Sequence, residues 1–144
     1  MEPSGVVTAD DLRNRFRGVP TVMVADRVYA PMPFSWFFHD MAEEFSDFKR
    51  EHGMQNWYET HDCDDKSFTW AMFLRWRWHE GYAPEIKAEA PACGVVWYMT
   101  DDGGGHSIGW CITDKGDLAY YEPQTDQMAR LSLREVRSRW FVYA

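Results

Sequence analysis

Hydrophobic positions along the chain change period once, close to residue 91. Upstream of that point the spacing is helical. From Ser35 to His52, Phe37, Phe38, Met41, Phe45 and Phe48 fall on one helical face, with His39 and Glu43 flanking it and Gly53 as the stop. Over residues 63–80, Phe68, Trp70, Met72, Phe73, Leu74 and Trp76 leave almost no polar face, which predicts a central, buried helix ended by Gly81. Residues 8–18 read as a shorter helix, with Thr8 as N-cap, Asp10 and Asp11 in its first turn and Gly18 as its stop. Between these helices, Val22 to Tyr29 reads as a short strand or tight hairpin closed by Pro31 and Pro33. The stretch from Tyr82 to Pro91 reads as a surface loop.

Downstream the period becomes that of strands. Ala92 to Met99 reads as a buried strand, and His106 to Thr113 and Leu118 to Gln124 as two more, joined at Asp114-Lys-Gly-Asp117. Arg130 to Leu133 and Trp140 to Tyr143 are expected as edge strands around a short polar turn or helix. Helices first and an antiparallel sheet afterwards predict an α+β domain. The 144 residues suit one domain, 1–144, and 45% hydrophobic residues with eight Trp provide a core.

Charge narrows the partners. The net charge is −8, and the clustered Arg residues are matched by carboxylates, so a phosphate backbone is a poor partner and nucleic acid is not expected. No apolar run approaches bilayer-spanning length, and the Met-Glu-Pro-Ser start carries no basic-then-apolar signal. The expectation is a protein made without export, with no membrane partner. Three cysteines, Cys63, Cys93 and Cys111, are odd in number and widely spaced. That is no disulfide framework, and a reducing, cytoplasmic setting fits.

Cys63 carries the chemistry. It opens the apolar helix, where the macrodipole and free backbone N–H groups favour a thiolate and can bind an oxyanion. Asp62, Asp64 and Asp65 oppose that with negative charge, so a cationic partner is required: an imidazolium, or a metal ion held by those carboxylates. His106 follows a run of three glycines that allows close backbone approach. The turn at Thr113–Asp117, with Gly116 at a left-handed position, predicts a bulged hairpin whose paired residue numbers have an even sum. In that register Glu122 lies diagonal to His106 on the same face, with Gln124 opposite. Glu122 can then hold the second imidazole nitrogen, the orienting role in a triad. Gln55 is a candidate oxyanion donor, Trp57 and Tyr58 are candidate groove residues, and His61 is the rival base.

The segments HDCDDKSFTWAMF, GGGHSIGWCI and LAYYEPQT resemble the papain-like cysteine protease domains of the Marasmius oreades agglutinin type, and similar segments of small bacteriophage proteins. The resemblance covers roughly residues 20–143. It implies a papain-like/transglutaminase-like fold, with Cys63 as nucleophile, His106 as base and Glu122 as orienter of a cysteine hydrolase, in particular a peptidase acting on a peptide or protein substrate. It also implies calcium as cofactor, which Asp62, Asp64 and Asp65 could match, and a phage-infected bacterial cytoplasm as one setting. Two other readings stand beside it. One is a non-catalytic phage or host-interaction protein that keeps the scaffold; the other is a metal site built from Cys63, His106 and nearby acids.

Overall fold

The computed structural model describes residues 5–56, 62–81 and 88–144. Among the described residues thirteen strands and helices follow one another: β1 (Val7–Thr8), α1 (Ala9–Arg15), β2 (Thr21–Met23), β3 (Val28–Ala30), α2 (Met41–Glu51), α3 (Cys63–Gly81), β4 (Ala90–Pro91), β5 (Cys93–Met99), β6 (Gly105–Ile112), β7 (Leu118–Glu122), β8 (Gln127–Ala129), α4 (Leu133–Arg137) and β9 (Phe141–Tyr143). A π-helical turn, Trp36–Asp40, leads into α2. The architecture is mixed α+β.

The caps form where the sequence places them. Thr8 and Asp11 make a reciprocal capping box at α1, and Gly18 and Gly53 adopt positive φ after α1 and α2. Ser132 and Glu135 make a second box at α4.

Strands β2-β9-β5-β6-β7-β8 form a six-stranded sheet, and β1-β3-β4 form a smaller one. Several of the expected elements differ. Arg130 to Leu133 is no edge strand, since residues 130–132 are irregular and Leu133 opens α4, and the stretch expected as a surface loop ends in the buried strand β4. The stretch from Val22 to Tyr29 is no hairpin, because β2 and β3 belong to different sheets. The segment Trp140 to Tyr143 is no edge strand either: β9 lies between β2, which it pairs in parallel, and β5. These last two outcomes depend on contacts between chain ends, which local periodicity does not encode.

Side chains two residues apart along the strands face the same layer. Cys93, Cys111 and Tyr121 meet Phe37, Phe45, Trp70, Leu74 and Trp78 in one core beneath α2 and α3. Val96, Ile108, Trp110, Tyr120 and Val142 meet Leu12 and Phe16 of α1 in the other. α3 is less enclosed than its composition predicts. Its buried stripe is Lys66, Trp70, Leu74 and Trp78, while Phe68, Met72 and Trp76 stand on an exposed face. No helix among the described residues is long and apolar enough to cross a membrane.

α3 lies against the sheet at Gly109. A Cβ there would sit 2.6 Å from Trp70 Cδ1, and Trp70 is itself stacked on Tyr121 at 4.2 Å between ring centroids. The indole therefore has nowhere to move. Gly109→Ala is expected to lower stability by about 1–3 kcal/mol through overpacking, read as a fall in the urea midpoint; an unchanged midpoint contradicts this packing.

Candidate functional site

The hairpin β6–β7 sets the geometry. Its register pairs Ile112 with Leu118 and Gly109 with Tyr121, and Gly116 in the turn has φ 84°. These are the pairs with an even sum that the bulged turn predicts. The Thr113 N–H donates to Asp117 O at 2.8 Å, so odd-numbered β6 residues are the hydrogen-bonded ones. Continued by two residues, the register sets Pro123 opposite Ser107, where a ladder N–H is needed and proline has none. Ser67 Oγ of α3 donates to Ser107 O instead, at 3.0 Å and fully buried. Ser67 is one helical turn beyond Cys63, so this bond anchors the start of α3 beside the start of β6.

There Cys63, His106 and Glu122 come together. His106 Nε2 donates to Glu122 Oε2 at 2.5 Å, and the imidazole is also hydrogen-bonded to Cys63. With Nε2 committed to the carboxylate, Nδ1 is the nitrogen left for the thiol. The second oxygen of Glu122 accepts from the Gln124 N–H at 3.0 Å. The His106 and Glu122 side chains are 20% and 19% exposed, and Cys63 is half-buried: sheltered, yet reachable. The partnership with Cys63, reinforced by Glu122 and opposed by burial, raises His106 from 6.5 to about 10. His106 is therefore an imidazolium at neutral pH.

Three residues that the sequence reading passed over complete the surroundings. Tyr98 pairs with His106 across β5–β6 and meets the imidazole edge-on, 5.8 Å between centroids. Lys49 is buried on α2; its Nζ donates to Pro123 O at 2.5 Å and pairs with Asp126 Oδ1 at 2.7 Å. Lys66 is buried on α3 and donates to Asn56 O at 2.9 Å, with Lys49, Glu122, Asp126 and Asp62 as its charged neighbours. Both lysines had a signal. Lys49 continues the i, i+4 series Phe37, Met41 and Phe45, and Lys66 opens the series Trp70, Leu74 and Trp78.

The acids near Cys63 are arranged differently from the expectation of free helix N–H groups. Asp62 precedes α3, and backbone hydrogen bonds from Asp64 and Asp65 help to hold its carboxyl below the usual range. The largest cause is a hydrogen bond with the Asp64 side chain, and the same bond pushes Asp64 up. Asp62, Cys63 and Asp64 offer ligand atoms within 4.8 Å of one another, and one oxygen of Asp62 is buried without a hydrogen-bond partner among the described residues. Asp65 is exposed and outside that group. Calcium takes roughly six to eight oxygens; two carboxylates and a soft thiol do not fit it by themselves.

Gln55 is exposed, and no described contact joins it to Cys63. Trp57, Tyr58 and His61 lie outside the described residues, as does Tyr82 to Lys87 of the expected surface loop.

Fold and site define an α+β protein with a half-buried thiol–imidazole–carboxylate cluster. No protein-family model matches the chain, and no curated protein matches it. Solved structures do. One, described as a PSL1a-E64 complex, superposes with a TM-score of 0.65 at 16% identity, over 96% of this chain and 51% of its own. Another is the Polyporus squamosus lectin bound to the human-type influenza-binding epitope Neu5Aca2-6Galb1-4GlcNAc, with a TM-score of 0.64 at 14% identity, over 96% of this chain and 49% of its own. The chain spans about half the length of these neighbours, and at such identity the likeness is one of fold. It corrects the expectation drawn from short motifs. One neighbour is a lectin holding a sialylated glycan, so membership of a cysteine protease family, hydrolase activity and a peptide or protein substrate are not carried to this chain.

The ion pair sets a pH dependence. The folded state favours protonated His106, so this contribution to stability is complete below the unfolded value near 6.5 and is lost as pH rises through about 10. The His106 imidazole signal in NMR is expected to titrate near 10 and to move down in Glu122→Gln. A midpoint near 6.5 in the wild type contradicts the pairing.

Proposed function

We propose that the chain is a single non-catalytic binding domain on a papain-like scaffold, with the half-buried cluster of Cys63, His106 and Glu122 as its recognition centre. The observation that carries this reading is the preformed cluster itself: a sheltered imidazolium held by Glu122 at 2.5 Å beside a half-buried thiol. Such a centre presents a positive donor and a polarizable sulfur without reorganisation when a ligand arrives. Tyr98, itself buried in the core, backs the imidazole edge-on, and Trp140, more than a third exposed, reaches to 3.6 Å from where a Cβ of Gly105 would stand. A polar ligand with an apolar face suits that combination.

The class of ligand we propose is carbohydrate. The glycan held by one structural neighbour favours it, and pyranose rings pack their C–H faces against aromatic side chains of this kind.

Two measurements test the proposal. With iodoacetamide, Cys63 is expected to be alkylated in the folded protein well before Cys93 and Cys111, because burial pushes both of those thiols up and removes their access. On a glycan array, binding is expected and is reduced at least tenfold in Cys63→Trp, which blocks the cluster. Progressive cleavage of casein or of a peptide library, abolished in Cys63→Ala, overturns the non-catalytic reading. Unchanged glycan binding in the blocked variant removes the cluster from it.

A further inference from the structure

Cys93 and Cys111 are the two thiols that the site leaves unused, and the sheet pairs them. The β5–β6 register sets Cys93 directly opposite Cys111. Along this ladder the Ile112 N–H donates to Ala92 O and the Thr100 N–H to Gly104 O, each at 2.8 Å. Even-numbered residues of β5 are thus in hydrogen-bonded pairs, and Cys93–Cys111 falls in the alternate, non-hydrogen-bonded class. Residues so paired stand about 4.5 Å apart at Cα, with their side chains leaving the sheet on one face. That separation lies at the short end of the range a disulfide spans, roughly 4.4–6.8 Å. Both cysteines are fully buried in the core beneath α3, and both are reduced here.

We propose that Cys93 and Cys111 form a cross-strand disulfide site, closed by a low-molecular-weight disulfide and reopened by reduction. One cysteine thiolate attacks the oxidant RSSR, forming a mixed disulfide and releasing RS⁻. The opposing thiolate then attacks the protein sulfur of that mixed disulfide, forming the Cys93–Cys111 bond and releasing a second RS⁻. The two thiol protons pass to the released thiolates, so two protein thiols are oxidised and one RSSR is reduced to two RSH. Burial raises Cys93 to about 12 and Cys111 in the same direction, so exchange is slow in the folded state and proceeds through opening of the sheet. The short Cα separation makes the bond readily reducible, which is the property of a responsive disulfide and not of a permanent one.

The whole chain refolded from urea in oxidised glutathione, then acid-quenched and alkylated, tests this by mass spectrometry. The expected product is lighter by two hydrogens at the 93–111 pair, with a linked peptide containing Cys93 and Cys111 and with Cys63 outside it. Its melting temperature is expected to exceed that of the reduced form by on the order of 10 °C and to return when dithiothreitol is added. In Cys111→Ala the loss of two hydrogens disappears. A stable glutathione adduct at Cys93 or Cys111 in the wild type, a link involving Cys63, or two free thiols after the oxidising refold each overturns the proposal. Repeating the refold in Cys63→Ser removes thiol scrambling from the comparison, and absence of the linked peptide there overturns the proposal equally.

Discussion

A proline that cannot donate a hydrogen bond governs how the helical half of this protein meets its sheet. At Pro123 the β6–β7 ladder lacks an N–H, and Ser107 O would be buried without a partner. Such an orphan costs about 1–3 kcal/mol. Ser67 takes up that oxygen at 3.0 Å, which fixes where α3 begins relative to β6. Gly109 lets Trp70 approach the same strand further along. Two contacts on one helix, roughly a turn apart, define its position and its tilt. Cys63, one turn before Ser67, is thereby brought to His106, and the thiol–imidazole contact follows from backbone satisfaction elsewhere.

The turn after β7 is held with comparable firmness. Lys49 reaches it from α2 through Pro123 O and Asp126, and the Tyr121 hydroxyl donates to the same aspartate at 2.8 Å. Asp126 adopts a positive φ of 57° there, a left-handed conformation that aspartate tolerates better than most residues. Glu122 sits at the start of this braced turn. Its carboxylate is fixed by the Gln124 N–H at one oxygen and by His106 at the other. An orienting carboxylate needs that kind of support to keep an imidazole in one plane.

Elements with a strong local signal could be read from the chain. The three long strands, the two long helices, the Thr8 cap and the stops at Gly18 and Gly53 are set by residues within a few positions of one another. The β6–β7 register was also legible, because Gly116 specifies the turn and the turn specifies the pairing. What escaped was non-local. β9 enters the middle of the sheet because β2, some 120 residues earlier in the chain, pairs with it, and nothing near Trp140 encodes that partner. Lys49 and Lys66 were hidden for another reason. Polar residues on an otherwise apolar stripe read as interruptions, although here each reaches a buried carbonyl or carboxylate. The functional reading failed in a third way: short motifs around Cys63, His106 and Glu122 pointed to a protease family, whereas the fold resembles that of a lectin of which the chain matches about half.

The arrangement of charge resolves the difficulty that the sequence poses at Cys63. Three aspartates beside a thiol look incompatible with any anionic character there. In the folded chain they do not act as three charges on the sulfur. Asp62 turns its carboxylate to the helix N–H groups of Asp64 and Asp65, the Asp64 side chain is hydrogen-bonded to it, and Asp65 faces solvent. Against them stand the His106 imidazolium and the buried ammonium groups of Lys66 and Lys49. Burial and the neighbouring Lys49 work against the charged form of Lys66, while Glu122, Asp126 and Asp62 favour it. The acids thus offset part of the cost of burying these cations in a sheltered region. Replacing any one of them disturbs the balance of the whole group, so the site and the junction of α2, α3 and the β7–β8 turn are one electrostatic unit.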